Sequence, residues 1–389
     1  MSIKGKAYIA GAFEHPARVA ANKSVAQLHA ECAKGALEDA GLSHQDVDAY
    51  FCAGDAPGNG ALNMMDYMGF KVRHFDSTES GGTSYLIHVA HAAQAIAMGK
   101  CNVAVITLAG RPRSEGRKGT RPLEIGSNLP DAPFEQPYRP VTLNQYAMAA
   151  TRHMYQFGTT SEQLAWVKVS ASHHAQHNPN AFLRKVLTIE DVVNSPMIAD
   201  PLHRMDSCVV TDGGGAVVVV KPEIARSLKR PLVKVIGAAE TSKNQHGGPI
   251  DLTYTGAVYT GPRAFEEAGV KPSDIKYASI YDSFTIMVVI QIEDLGFCKK
   301  GEGGKFVSDG NLISGVGRFP INTDGGGLCN NHPTNRGGMT KIIEAVRQLR
   351  GEAHPKVRVK NCDIALAHGT GGGSLTARHG SATLIMERE

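Results

Sequence analysis

The sequence has little of what marks a secreted, membrane-spanning or nucleic-acid-binding protein. Its seven cysteines are odd in number and include no Cys-x-x-Cys pair, which excludes a disulfide framework and a zinc site built on paired thiolates. No apolar run approaches the roughly 20 residues that cross a bilayer. The opening Met1-Ser2-Ile3-Lys4-Gly5-Lys6 leads straight into a strand pattern rather than a signal peptide. Charge of one sign is also missing: 41 basic against 37 acidic residues leave a net +4, too small and too dispersed to fit a nucleic-acid partner. His173, His174 and His177 have no carboxylate at ligand spacing, so no metal is expected. What remains is a soluble, cytoplasmic globular chain.

The 389 residues are 42% hydrophobic and 20% charged with 43 glycines, too long for one ordinary core and suited to two halves of similar size. Residues 6–11 read as a buried strand. Ser24 then caps a helix that runs to Ala40 and stops at Gly41. Residues 48–53 form a second strand, 83–98 an almost wholly apolar helix, and 102–108 a strand buried on both faces. Helices alternating with strands predict a parallel sheet with helices packed on it.

This pattern returns. Ala36 to Leu42 with Asp46-Val47 is echoed by Ala264 to Val270 with Asp274-Ile275, a constant offset of 264 − 36 = 228. The stretch at Cys101 is likewise echoed at Cys362. The chain therefore reads as two βαβαβ halves, 1–225 and 226–389, the first carrying an insertion over about 111–205. Pseudo-two-fold symmetry would bring the starts of helices 83–98 and 339–350 to one centre, where unpaired N–H groups suit an oxyanion. Ahead of the second helix lies a glycine-rich stretch, Asn322 to Asn335, that holds His332 beside Pro333 on a rigid loop.

At these residues the chain resembles the thiolase superfamily, in particular the sterol-carrier-protein-x type thiolases and their bacterial lipid-transfer relatives. Gly326-Gly327-Leu328 with Asn331-His332-Pro333 is similar to the family's glycine-histidine-proline loop. Tyr281-Asp282-Ser283-Phe284 is similar to a His-Asp-Cys-Phe loop, and Ala367-His368-Gly369-Thr370-Gly371-Gly372 to the family's second basic site. The resemblance implies a five-layer α/β/α/β/α thiolase fold, a homodimer, and an acyl-CoA enzyme of the acyltransferase kind. Coenzyme A would arrive as the substrate thioester rather than as a cofactor. Gly81, Gly82, Gly326, Gly327, Gly371 and Gly372 would bring backbone against that thioester. Basic residues of the insertion, Arg111, Arg113, Arg117 and Lys118, would meet its phosphates.

The largest absence is the family's nucleophilic cysteine. One registration puts it on Gly82 and another on Thr78, and neither is a thiol. Ser80, Thr83 and Ser84 offer hydroxyls nearby, although such residues usually cap the helix, and Cys329 lies three residues before His332. Tyr281 points elsewhere. Some thiolase-fold relatives that lack the cysteine resemble this chain in carrying tyrosine at this loop, and they cleave β-hydroxyacyl-CoA by retro-aldol chemistry, often with a small partner of OB-fold and zinc-ribbon type. The candidate catalytic set is thus Tyr281, His332 and His368, with Ser80 and Cys329 as alternative nucleophiles. His332 and His368 are expected to share one pocket. A non-catalytic acyl-CoA-binding or lipid-binding subunit is the reading outside enzymology.

Overall fold

The computed structural model describes residues 2–116, 132–135, 137, 141–243, 250–334, 336–372 and 379–389. Its principal elements in the first half are β1 (Tyr8–Glu14), α1 (Val25–Ala40), β2 (Ala49–Phe51), α2 (Ala61–Met68), β3 (His74–Asp76), α3 (Ser84–Ala97) and β4 (Val103–Gly110). The inserted stretch contributes α4 (Thr142–Phe157) and α5 (Ser161–Ala175) before β5 (Gly213–Val220). The second half holds β6 (Val233–Ser242), α6 (Ala257–Ala268), β7 (Tyr277–Ile280), α7 (Thr285–Asp294), α8 (Gly338–Arg350), β8 (Ile364–Gly371) and β9 (Gly380–Arg388).

Local chemistry explains the echoed pieces. Ser24 accepts from Gln27 N while Gln27 bonds back, and Gly41 ends α1 in the left-handed region at φ 72°. At the expected offset Gly269 ends α6 at φ 68°. The short 3₁₀ turns His44–Asp46 and Pro272–Asp274, and the strands that follow each, keep the same spacing. Each helix lies so close to its strand that only glycine fits beneath it. A Cβ on Gly11 would stand 2.0 Å from Ala36 O, and one on Gly237 would stand 2.4 Å from Ala264 O.

Strand order is β3-β2-β4-β5-β1 in one half and β6-β9-β8-β7 in the other. A short seam joins them, Tyr8↔Lys234 and Ile9↔Val233. The expected parallel sheet is corrected to a mixed one. Among the strands of the described residues, only β2 with β3 and β4, and β7 with β8, run parallel. β5 and β9 run antiparallel to both of their neighbours, because each enters its sheet between strands that point the other way.

Three apolar cores fill the spaces between layers. One lies under α1 and α2, one around α3 and α8 between the two sheets, and one under α6 and α7 together with α4 and α5. That stacking is the five-layer α/β/α/β/α thiolase fold. Val217 to Val220 are wholly buried because β5 is covered on both faces. Among the described residues no helix is long and apolar enough to cross a membrane.

The middle layer brings the starts of α3 and α8 together. A Cβ on Gly338 would come within 1.9 Å of Gly82 O. Gly338→Ala is therefore expected to force the two helix starts apart and to destabilise by about 1–3 kcal/mol, read as a lower urea midpoint.

Candidate functional site

Tyr281 follows the last residue of β7, and its backbone N–H donates to His368 O at 3.0 Å. Its ring lies on the inner side of the sheet, against the start of α3. A Cβ on Gly82 would sit 2.3 Å from Tyr281 Cε2. The Tyr281 hydroxyl accepts from Gly337 N, at 3.3 Å, and lies 3.2 Å from His332 Nε2. The two rings meet edge to face, with centroids 5.6 Å apart and an interplanar angle of 78°.

The loop that carries His332 is held from several sides. Gly325 and Gly326 have φ of 100° and 60°, values that favour glycine. His332 N donates to Thr211 Oγ1 at 2.9 Å, and Thr211 Oγ1 donates to Asn331 Oδ1 at 2.7 Å. Asn331 Nδ2 in turn donates to Glu14 Oε1 at 3.0 Å. The Glu14 carboxyl, beside Arg18 and Arg347, is held down at about 2.

Burial sets the protonation states. His332 is 2% exposed and Tyr281 fully buried. Burial pushes the His332 imidazole down to about 4 and the Tyr281 phenol above its usual range. With Gly337 N–H pointing at the phenol oxygen, the Tyr281 hydroxyl and Nε2 of a neutral imidazole stand within hydrogen-bond reach, the ring tautomer deciding which of them donates. His332 Nδ1 has no hydrogen-bond partner among the described residues.

His368 is not brought into this arrangement, so the expected shared pocket of two imidazoles is corrected. Its Nδ1 lies 2.9 Å from Thr383 Oγ1, which bonds Thr260 on α6 at 2.8 Å. The ring therefore occupies the outer face of the sheet. The neighbouring positions that face α3 are Gly369 and Gly371, whose absent Cβ atoms would meet Gly82 O and Ser80 O at 3.2 and 1.7 Å.

Among the described residues no hydrogen bond joins Ser80 or Cys329 to a base. Ser80 N donates to Ser84 Oγ at 2.9 Å, and Ser80 Oγ has Ser84 Oγ as its neighbour at 3.5 Å. Cys329 is fully buried in the core shared by α4 to α7, and burial raises its thiol. Thr78 bonds Asp76.

Three of the six glycines have their N–H groups occupied, and Gly81 lies close against Gly372. A Cβ on Gly81 would stand 2.8 Å from Gly372 N. The N–H groups of Gly81, Gly326 and Gly327 are taken by the carboxylates of Glu79, Asp324 and Asp282. Arg111 and Arg113 donate to backbone carbonyls, and Arg113 also lies 4.3 Å over the Phe182 ring. Arg117 and Lys118 lie outside the described residues.

Several supporting residues escaped the sequence reading. Asp282 and Lys341 form an ion pair at 2.5 Å with each side chain 1% exposed. Gly337 supplies the N–H to Tyr281, and Thr211 fixes the His332 backbone. Asp282 stands inside the Tyr-Asp-Ser-Phe motif, which was a usable signal. Lys341 looks like any surface residue of a helix.

His88, His174 and His332 are each held at about 4 by burial, and His368 at about 3. The unfolded chain protonates histidine near 6.5. Between about pH 6.5 and pH 4 it therefore binds protons that the native state refuses, so stability falls on acidification by about 1.4 kcal/mol per pH unit per histidine. Glu344 works in the opposite sense, since burial and Asp324 push it up to about 7. Glu344→Gln removes that opposing term, and the fall in urea midpoint from pH 7 to pH 5 is expected to steepen.

Known proteins resemble this chain in both sequence and fold. Residues 238–388 match the family described as "Thiolase C-terminal domain-like". A steroid side-chain-cleaving aldolase of Thermomonospora curvata is 36% identical over 365 residues, covering 90% of this chain and 91% of that protein. A 17-hydroxy-3-oxo-4-pregnene-20-carboxyl-CoA lyase of Mycobacterium tuberculosis is 36% identical, with 95% of this chain and 97% of that one covered. The solved Ltp2-ChsH2(DUF35) aldolase superposes with a TM-score of 0.88 at 32% identity, over 99% of this chain and 98% of that one. On the fold, the motifs and these likenesses, the chain belongs to the thiolase superfamily, among its lipid-transfer-like members.

Proposed function

We propose that this chain is a retro-aldol lyase acting on a β-hydroxyacyl-CoA thioester, with Tyr281 and His332 as the reacting pair. The observation that carries the reading is the Tyr281 hydroxyl itself. It stands 3.2 Å from His332 Nε2 and receives the Gly337 N–H, in volume that Gly82 leaves clear. Tyr281 takes the proton of the substrate β-hydroxyl as its own proton passes to His332. The resulting alkoxide becomes a carbonyl, the Cα–Cβ bond breaks, and its electron pair moves into the thioester enolate. Return of one proton to Cα gives a shortened acyl-CoA and a ketone or aldehyde. No acyl-enzyme forms.

The names of the relatives, an aldolase and a CoA lyase, support this reading over thiolysis. The solved aldolase, by its name, joins Ltp2 to ChsH2(DUF35), and we carry a small DUF35-type partner into the proposal. Pairing of two copies through the edge strand β3, where Phe75 is 48% exposed, is likewise proposed.

The test is incubation of the chain, alone and with a small DUF35-type partner, with a β-hydroxyacyl-CoA bearing a tertiary β-carbon. Ketone and shortened acyl-CoA in equal amounts are expected, and intact-mass spectra should show no acylated protein. A stable acyl adduct at Cys329 or Ser80 would overturn the reading. Binding of the thioester with no cleavage under either condition would favour the non-catalytic subunit.

A further inference from the structure

Three segments carry the site, and one buried ion pair touches all of them. Asp282 directly follows Tyr281. Its carboxylate accepts from Gly327 N at 2.9 Å and from Leu328 N at 3.2 Å, the turn that leads into His332. Lys341 reaches the same carboxylate at 2.5 Å from the first turn of α8, and Gly337 just before that helix donates to Tyr281. The turn wraps Asp282 closely. A Cβ on Gly326 would stand 2.1 Å from Asp282 Oδ2, and one on Gly327 would stand 3.0 Å from both Asp282 Oδ1 and His332 Cδ2.

We propose that the Asp282–Lys341 pair is a positioning clamp for the site, fixing Tyr281 against His332 and balancing the charge beside the imidazole. This rests on the reading of Tyr281 and His332 as the reacting pair. Two charges with 1% exposure recover little more than their desolvation cost, so the charge pair as such adds little hold beyond the carboxylate's bonds to Gly327 N and Leu328 N. What apolar side chains would not supply is a local field that can be cancelled. Asp282 draws a proton toward His332 and Lys341 repels it. With both present burial decides, and the imidazole stays neutral and able to receive the Tyr281 proton.

Among the described residues, Cys208 on the stretch before β5 and Arg336 on the His332 loop, tied to Glu79 at 2.5 Å, also act on Tyr281. The buried Asp324 carboxylate acts on Lys341.

The experiment is a titration of the His332 side chain by nitrogen-15 NMR between pH 4 and 7, on the whole chain without substrate, with pH profiles of kcat/KM in parallel. Lys341→Met leaves Asp282 uncompensated and is expected to raise the His332 midpoint by about 1 pH unit, with the acid limb of kcat/KM moving up by the same amount. Asp282→Asn keeps a side-chain acceptor for the turn but removes the paired charge, leaving Asp324 as the carboxylate that acts on Lys341. It is expected to move the midpoint down, so that His332 shows no titration in the window. Lys341→Arg should restore the wild-type midpoint.

A merely structural pair predicts something else. Loosening would wet the imidazole and drive it toward 6.5 in both variants. A midpoint that rises in Asp282→Asn, or stays put in folded Lys341→Met, overturns the proposal. Should Lys341→Met fail to fold, the Asp282→Asn arm decides alone. Opposite shifts in a chain that cleaves no β-hydroxyacyl thioester would leave the clamp standing and remove the proposed activity.

Discussion

Tyr281→Phe is expected to cost carbon–carbon cleavage about 10²–10⁴-fold in kcat, with KM for the thioester changed little. The substitution deletes one oxygen from a fully buried ring, so the shape that packs against Gly82 and His332 is kept. What disappears is the link between a substrate hydroxyl and the His332 imidazole, 3.2 Å from the phenol oxygen. The loss should appear in kcat and kcat/KM alike, because the phenol is asked to act in the transition state rather than to bind the ground state.

A modest stability cost should accompany that loss. Gly337 N–H and His332 Nε2 both lose their partner, and a buried polar group left unpaired costs about 1–3 kcal/mol. Melting and kinetics therefore separate the outcomes. A small fall in Tm with the kinetic loss supports the assignment. Unchanged cleavage by a folded Tyr281→Phe variant would remove Tyr281 from the chemistry.

The parts of this site legible in the sequence are those with a local cause. Gly41 and Gly269 end helices at equivalent places because each must adopt positive φ, and the offset between them exposed the duplication. The His332 loop announced itself through consecutive glycines and Pro333. The side on which His368 lies had no such cause. β8 is buried on both faces, with Ala365 and Ala367 in one core and Leu366 in another, so hydrophobic alternation gives no hint of direction. A shift of one residue in register exchanges the faces of a strand, and the motif likeness did not carry register. Lys341 was hidden for a related reason. Its helix is covered all round, and a lysine reads as solvent-facing until Asp282 is seen opposite. The antiparallel placement of β5 and β9 depends on which strands flank them, which is a property of the assembled sheet.

Gly82→Ala is expected to be as damaging as losing the phenol, although residue 82 carries no functional group. The new Cβ would lie 2.3 Å from Tyr281 Cε2, 2.7 Å from Tyr281 Cζ and 2.5 Å from Thr370 O, all well inside van der Waals contact. Either the ring or β8 must move. A ring displaced by about 1 Å breaks the alignment with His332 and costs about 10²-fold in rate, while overpacking costs about 1–3 kcal/mol of stability. The same geometry bears on the missing cysteine. Of the two registrations, Gly82 and Thr78, the first puts the family's thiol just before α3, and there the Tyr281 ring occupies the space that such a side chain needs. On that registration a tyrosine at 281 and a cysteine at 82 exclude each other. The consequence is a measurable coupling. Gly82→Cys alone should be destabilised and inactive, and Gly82→Cys/Tyr281→Ala should regain part of the lost stability without regaining cleavage, an interaction of about 0.5–3 kcal/mol by double-mutant cycle. Recovery should stay incomplete, because the Thr370 carbonyl remains 2.5 Å from the added carbon whatever stands at 281. Strictly additive effects of the two substitutions would separate the cysteine's absence from the tyrosine's presence.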